Sequence, residues 1–206
     1  MYRVFDLQVI TPAPWKNGGG LTQEIICWPP GAGLSDFHWR VSVAGIHAGG
    51  PFSVFPGVDR VILLLEGGGV WLRSPGQGLD HRLDQCDQPL HFSGDHACDC
   101  ELLDGDSRDF NVMTRRAALA ADVQVFTSAA AASSRHGLVF AASGAWSLQA
   151  GGDTRLGPQA GICWADEEFA WTATPLADDA RLIAVSIRPG STPQPVPCCP
   201  GQGRPG

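Results

Sequence analysis

Apolar and polar residues alternate along much of the chain. In the stretch FHWRVSVAGI, Phe37, Trp39, Val41 and Val43 share one face, while His38, Arg40, Ser42 and Ala44 share the other. A period of two predicts a half-buried strand. The stretch DRVILLLEGGGVWLR predicts a strand, a turn at Gly67-Gly68-Gly69 and a second strand. Further strands are predicted at HRLDQ, PLHFSG, CDCELL and DFNVMTR. Helical patterning is confined to two short segments, RAALAADV and the alanine run Ala129–Ala132. The pattern predicts an all-β chain.

The same order of elements occurs twice. From Leu63 the chain runs through a strand, a glycine turn, VWL, a glycine-rich turn, RLDQCDQPLHFSGD, a hydrophobic strand, the acidic turn DGDSRD and FNVMTRR. From Leu138 it runs through LVFAAS, Gly144, AWSL, QAGGDT, RLGPQAGICWADEE, FAWTATPL, ADDA and RLIAVSIRP. Such self-similarity marks a duplicated supersecondary unit. Antiparallel units of this size hide their edges in double-sheet rolls or barrels. Two antiparallel barrels are therefore expected, the first over residues 1–122 with the N-terminal strands, the second over 123–189. A Pro/Gly-rich tail follows over 190–206, with the composition of an extended end.

Composition narrows the partners. The 206 residues carry 14 Lys plus Arg against 21 Asp plus Glu, a formal net charge of -7. That balance argues against nucleic acid, which needs a basic stripe, and gives no attraction to an anionic membrane. No apolar run reaches membrane-spanning length, and the start MYRVFD lacks a secretory h-region. Seven cysteines, an odd number in a chain too long to need staples, fit reduced thiols and a cytoplasmic location. A homodimer is compatible with the sequence.

The segment PAPWKNGGGLTQEI poses a chemical question. A phosphate loop places its glycines before the lysine and a helix after it. Here Lys16 precedes Gly18, Gly19 and Gly20, and a strand-like segment follows. Two readings remain open: a sharp turn, or a wall of a small-anion site in which Lys16 and Asn17 take part. Arg40 in mid-strand and Arg60 ahead of the apolar run VILLL add cations at core positions. Each needs a partner, because an unpaired buried charge is costly. The partner is either an internal acid, with Glu24, Glu66 and Asp59 as candidates, or a bound carboxylate held by a guanidinium fork. No metal cofactor is expected, since the six histidines form no HxH pair and Cys98 and Cys100 lack a second pair of ligands. No G-x-S-x-G elbow is present, and the paired acids fall in predicted turns.

The segments PWKNGGGLTQEI, FHWRVSVA, GPFSVFPGVDR, LLEGGG, FSGD and DFNVMTRR, in order between Trp15 and Arg116, resemble the HutD/Ves family of bacterial bicupins. The resemblance implies two cupin-type barrels. It also implies binding of a small carboxylate or formyl compound in histidine utilisation, in a regulatory role that limits how far the pathway is switched on. By the same resemblance Arg60 is the anion contact, Lys16 and Asn17 line its cavity, and Arg40, Glu24 and Asn111 occupy motif positions without assigned roles. The competing readings are a metal-independent cupin-type enzyme using Lys16, Glu24 or Glu66 as acid or base, and an assembly protein with no cavity at Arg60.

Overall fold

A computed structural model describes residues 2–190, and every strand pairing in it is antiparallel. The first half builds a six-stranded sheet in the order Ala13–Pro14, Gly20–Trp28, Trp39–Ile46, Ser107–Arg115, Val58–Gly67, Leu90–Ser93. Facing it is a four-stranded sheet in the order Gly50–Phe52, Cys98–Leu102, Val70–Ser74, Leu79–Leu83. The second half pairs Tyr2–Asp6, Ala160–Trp164, His136–Ser143, Arg181–Pro189 and Leu119–Phe126 in one sheet. Its other sheet runs Ala130–Ser134, Phe169–Pro175, Trp146–Gln149, Asp153–Leu156.

The duplication holds strand for strand. Val58–Gly67 pairs with Ser107–Arg115 and Leu90–Ser93, just as His136–Ser143 pairs with Arg181–Pro189 and Ala160–Trp164. Even the irregularity recurs, since each long central pairing shifts register near its end, at Arg108/Asp109 and at Ala141/Ser143. The correspondence extends upstream, because Trp39–Ile46 and Gly50–Phe52 pair as Leu119–Phe126 and Ala130–Ser134 do.

Three observations depart from the sequence expectations. The two alanine-rich segments are strands: Leu119–Phe126 pairs along its whole length with Arg181–Pro189, and Ala130–Ser134 pairs with Phe169–Pro175. Sheet pairing overrides alanine's helix propensity there, and the only helical element among the described residues is the 3-10 turn Leu7–Val9. The boundary expected after residue 122 falls inside Leu119–Phe126. Finally, Tyr2–Asp6 pairs with Ala160–Trp164 of the second half, Val4 lying opposite Ile162. The tail, from residue 191 onward, lies outside the described residues.

Three apolar layers follow from strand alternation. Val41, Val43, Val61, Leu63, Phe110 and Val112 point away from the first barrel and meet Phe140, Leu138, Ile183 and Val185 of the second. Phe110 and Phe140 stack there with centroids 5.7 Å apart and planes 12° from parallel. Burying each such ring stabilises by roughly 1.5–3 kcal/mol, so the two barrels share a core instead of merely touching. Ile62, Leu64, Val70 and Leu72 fill the first barrel, and Trp146, Leu148, Trp164 and Trp171 fill the second. Trp39–Ile46 is consequently covered on both faces: Ser42 and Ala44, expected on a solvated side, are 3% and 6% exposed.

Candidate functional site

The inner face of the six-stranded sheet carries polar residues in cross-strand rows. Arg40, Met113, Arg60 and Phe92 lie opposite one another in one row. Two residues along each strand, Glu24, Ser42, Asn111 and Ile62 form the next, about 7 Å away by strand geometry. A third row holds Thr22, Ala44, Asp109 and Leu64. Alternation sends these side chains into the first barrel, since Ile62 and Leu64 belong to its interior and their neighbours Val61 and Leu63 to the shared core.

Arg60 is only 9% exposed. Its guanidinium carbon lies 5.0, 6.0 and 4.9 Å from the ring centroids of Phe52, Phe55 and Phe92. One Nη donates to Asn111 Oδ1 at 3.3 Å, and Nε, fully buried, has no hydrogen-bond partner. Burial lowers the guanidinium pKa to about 10, yet it stays charged at any physiological pH. The acids proposed as its internal partners are engaged elsewhere: Glu24 with Arg40 at 2.7 Å, Asp59 with Arg116 at 2.6 Å, and Glu66 with Arg108. Among the described residues, no carboxylate forms an ion pair with Arg60.

Arg40 resolves the opposite way. Its Nε donates to Glu24 and one Nη to Ser42 Oγ at 3.3 Å. It is an internal ion pair on the rim of the same polar patch, with Glu24 half exposed.

Four of the six residues singled out from the sequence therefore share one inner face: Arg60, Arg40, Glu24 and Asn111. Lys16 and Asn17 do not join them. Their turn leads into Gly20, which pairs with Ile46, six strand positions from Arg40 and so about 20 Å along the sheet. Lys16 is exposed. Asn17 Oδ1 accepts from the Gly19 amide at 3.1 Å, an Asx turn with Gly18 at φ 72°, a conformation that suits glycine. Both residues are placed as a sharp turn requires, and the turn packs toward the facing sheet, with Asn17 Nδ2 beside Gly50. What reaches inward from this segment is Trp15, whose Nε1 donates to Thr22 Oγ1 at 2.7 Å and whose ring meets Phe52 edge-on at 6.3 Å.

Sequence reasoning missed the aromatic box and Asp109. The box was present as Phe52 and Phe55 just ahead of Arg60 in GPFSVFPGVDR. Asp109 stands with Ser107 and Asn111 at alternate positions of a strand whose other face carries the apolar Phe110 and Val112, a signal of polar residues aimed into a barrel. Asp109 is fully buried; Oδ1 accepts from Ser107 Oγ at 3.0 Å and Oδ2 has no partner. Burial pushes its pKa up to about 7, against the Ser107 hydrogen bond that lowers it. Across the barrel, burial likewise pushes the Cys100 thiol up to about 12.

Among the described residues, no three His, Cys, Asp or Glu side chains come together as a metal site. Cys27, Cys86, Cys98, Cys100 and Cys163 are free, and no described helix is long and apolar enough to cross a membrane.

Two tandem antiparallel rolls that share a core define a bicupin, here with a buried, unpaired arginine inside the first roll. The chain belongs to the HutD family, whose model, described as HutD, matches residues 8–183. Protein Ves of Citrobacter koseri is 42% identical over 199 residues, spanning 93% of this chain and 98% of that protein. The structure of HutD from Pseudomonas fluorescens SBW25, solved in a formate condition, superposes with a TM-score of 0.78 at 28% identity, covering 92% of this chain and 99% of that one. A Cupin 2 conserved barrel domain protein from Leptotrichia buccalis shares the fold at 9% identity and a TM-score of 0.56, covering 90% and 96%.

Proposed function

We propose that the chain is a binding protein for a small carboxylate or formyl compound, acting in the cytoplasm as a regulator of histidine utilisation. The observation that carries this reading is Arg60. A guanidinium 9% exposed, boxed by three phenylalanines and lacking an acid, is costly in the empty protein. An anion that completes it recovers that cost as affinity, with two charge-assisted hydrogen bonds available to a carboxylate fork. The formate condition of the Pseudomonas fluorescens HutD structure and the family name support the ligand class and the pathway.

A binding role suits the site better than catalysis. The three acid–base candidates do not converge: Lys16 is exposed on a turn, Glu24 is paired with Arg40 and Glu66 with Arg108. An enzyme needs a base within hydrogen-bond reach of a reacting atom.

Isothermal titration with formate and a panel of histidine-pathway intermediates tests the reading. Arg60→Ala is expected to weaken binding by roughly ten- to a hundredfold, on the scale of a charge-assisted contact. Arg60→Lys recovers only part, because a point charge cannot reproduce the fork. Equal affinity in parent and Arg60→Ala would show that the site lies elsewhere.

A further inference from the structure

A second ionisable group sits inside the first barrel, and the anion-binding reading leaves it unused. Asp109 is 0% exposed, its Oδ2 has no partner, and it lies one row below Asn111 on the same inner face as Arg60. We infer that Asp109 is the proton-carrying residue of this interior, and that the proton it holds sets the affinity for the anion at Arg60.

The argument is one of enclosed charge. Asp109's flanking strands present Ala44 and Leu64 to it, neither of which ionises. Its own strand offers Ser107 and Asn111, the latter donating to the Asp109 carbonyl. The facing sheet offers the thiols of Cys98 and Cys100, whose pKa values burial raises, so both stay neutral. Farther up, Arg40 is matched by Glu24, and past the opposite end His47 is hydrogen-bonded to Asp106 in solvent. With Asp109 protonated, the interior holds one uncompensated positive charge, that of Arg60. With Asp109 ionised, it holds none.

Anion and proton therefore bind cooperatively. Asn111 spans the two positions, since its Oδ1 accepts from Arg60 and its Nδ2 donates to the Asp109 carbonyl. Asp109 stands two rows from Arg60, so a carboxylate held by Arg60 lies on the order of 13 Å along the strands from it. At an effective interior dielectric of about 20, two negative charges at that distance weaken each other's formation by about tenfold at most. Raising the pH through neutrality should lower anion affinity by that factor. By reciprocity, anion binding should draw in a proton.

This inference rests on the anion-site reading, and one experiment separates the two. Formate is titrated into the full chain between pH 5.5 and 8.5, in buffers of different ionisation enthalpy, for the parent and Asp109→Asn. The expected result is formate affinity that falls about tenfold with rising pH in the parent and stays level in Asp109→Asn, with proton uptake at pH 7 in the parent alone. Binding that is pH-independent in the parent, or equal proton uptake in both proteins, overturns the role of Asp109 and leaves the anion site standing. No binding at any pH in either protein overturns both. Should Asp109→Asn fail to fold, the carboxyl carbon of Asp109 in the labelled parent is titrated by NMR with and without formate. A midpoint that rises with formate supports the inference, and an unchanged one overturns it.

Discussion

Replacing Arg60 with methionine separates a binding arginine from a structural one. The substitution keeps an unbranched apolar stem, and removes the charge together with the guanidinium's contacts with Phe52, Phe55 and Phe92. Burial lowers the guanidinium pKa from its ordinary value to about 10, which corresponds to about 3 kcal/mol of destabilisation. A base whose folded pKa is depressed costs stability wherever it is charged in both states. The penalty is therefore complete below about pH 10 and is relieved only as pH rises above that toward the ordinary arginine pKa. Three cation–π contacts at about 0.5–1 kcal/mol each, and one long hydrogen bond to Asn111 worth about 1 kcal/mol, offset it. The terms nearly cancel. In the absence of ligand, Arg60→Met is expected to unfold in urea within about 1 kcal/mol of the parent. Formate at a hundredfold excess over its Kd should then stabilise the parent by about 2.7 kcal/mol, a Tm shift of roughly 5–10 °C for a chain of this size. The variant should gain nothing. A loss of 3 kcal/mol or more in the ligand-free variant, the usual cost of breaking a buried ion pair, would refute the reasoning. So would an undiminished formate shift.

Three other outcomes are expected. The raised Asp109 pKa means that the folded chain holds a proton the unfolded chain releases between pH 3.8 and about 7. This group's contribution to stability is thus greatest at low pH, falls through that window by about 4 kcal/mol and is level above it. Asp109→Asn should flatten this part of the profile in urea melts and be the more stable protein at pH 8. Phe110→Ala and Phe140→Ala should each cost about 3–5 kcal/mol, and the double variant clearly less than their sum, as a denaturation cycle would register. Lys16→Ala should leave formate affinity by titration calorimetry within about twofold, because an exposed ammonium is screened by salt.

Much of the architecture was legible because alternation and glycine turns are local signals. The six strands from Val58–Gly67 to Ser107–Arg115 and their counterparts from His136–Ser143 to Arg181–Pro189 follow the order read from the sequence repeat. Position within the sheets was harder to read. Whether Lys16 could approach Arg60 depends on strand direction and register, and Gly20 turned out to pair with Ile46, away from Arg60's neighbours. The segment Leu119–Phe126 became a strand because of Arg181–Pro189, some sixty residues later, a partner that no local propensity could announce. Arg60 itself was legible from a simple conflict, a cation ahead of five apolar residues. Asp109 required noticing that Ser107 and Asn111 shared its parity.

The pairing of Tyr2–Asp6 with Ala160–Trp164 bears on how the chain is made. Tyr2–Asp6 leaves the ribosome well before the rest of its sheet, so it must wait, unpaired, while the first barrel folds beside it. During that interval Arg3 can already reach the Ile25 carbonyl, and Gln23 the carbonyls of Leu7 and Ile10, contacts that park the segment on a strand of the first barrel. A second half expressed alone, without that segment, would present the free rim of Ala160–Trp164 as a template for other chains and should aggregate. A synthetic peptide carrying the N-terminal strand, added during refolding, should occupy the rim and restore solubility by strand donation.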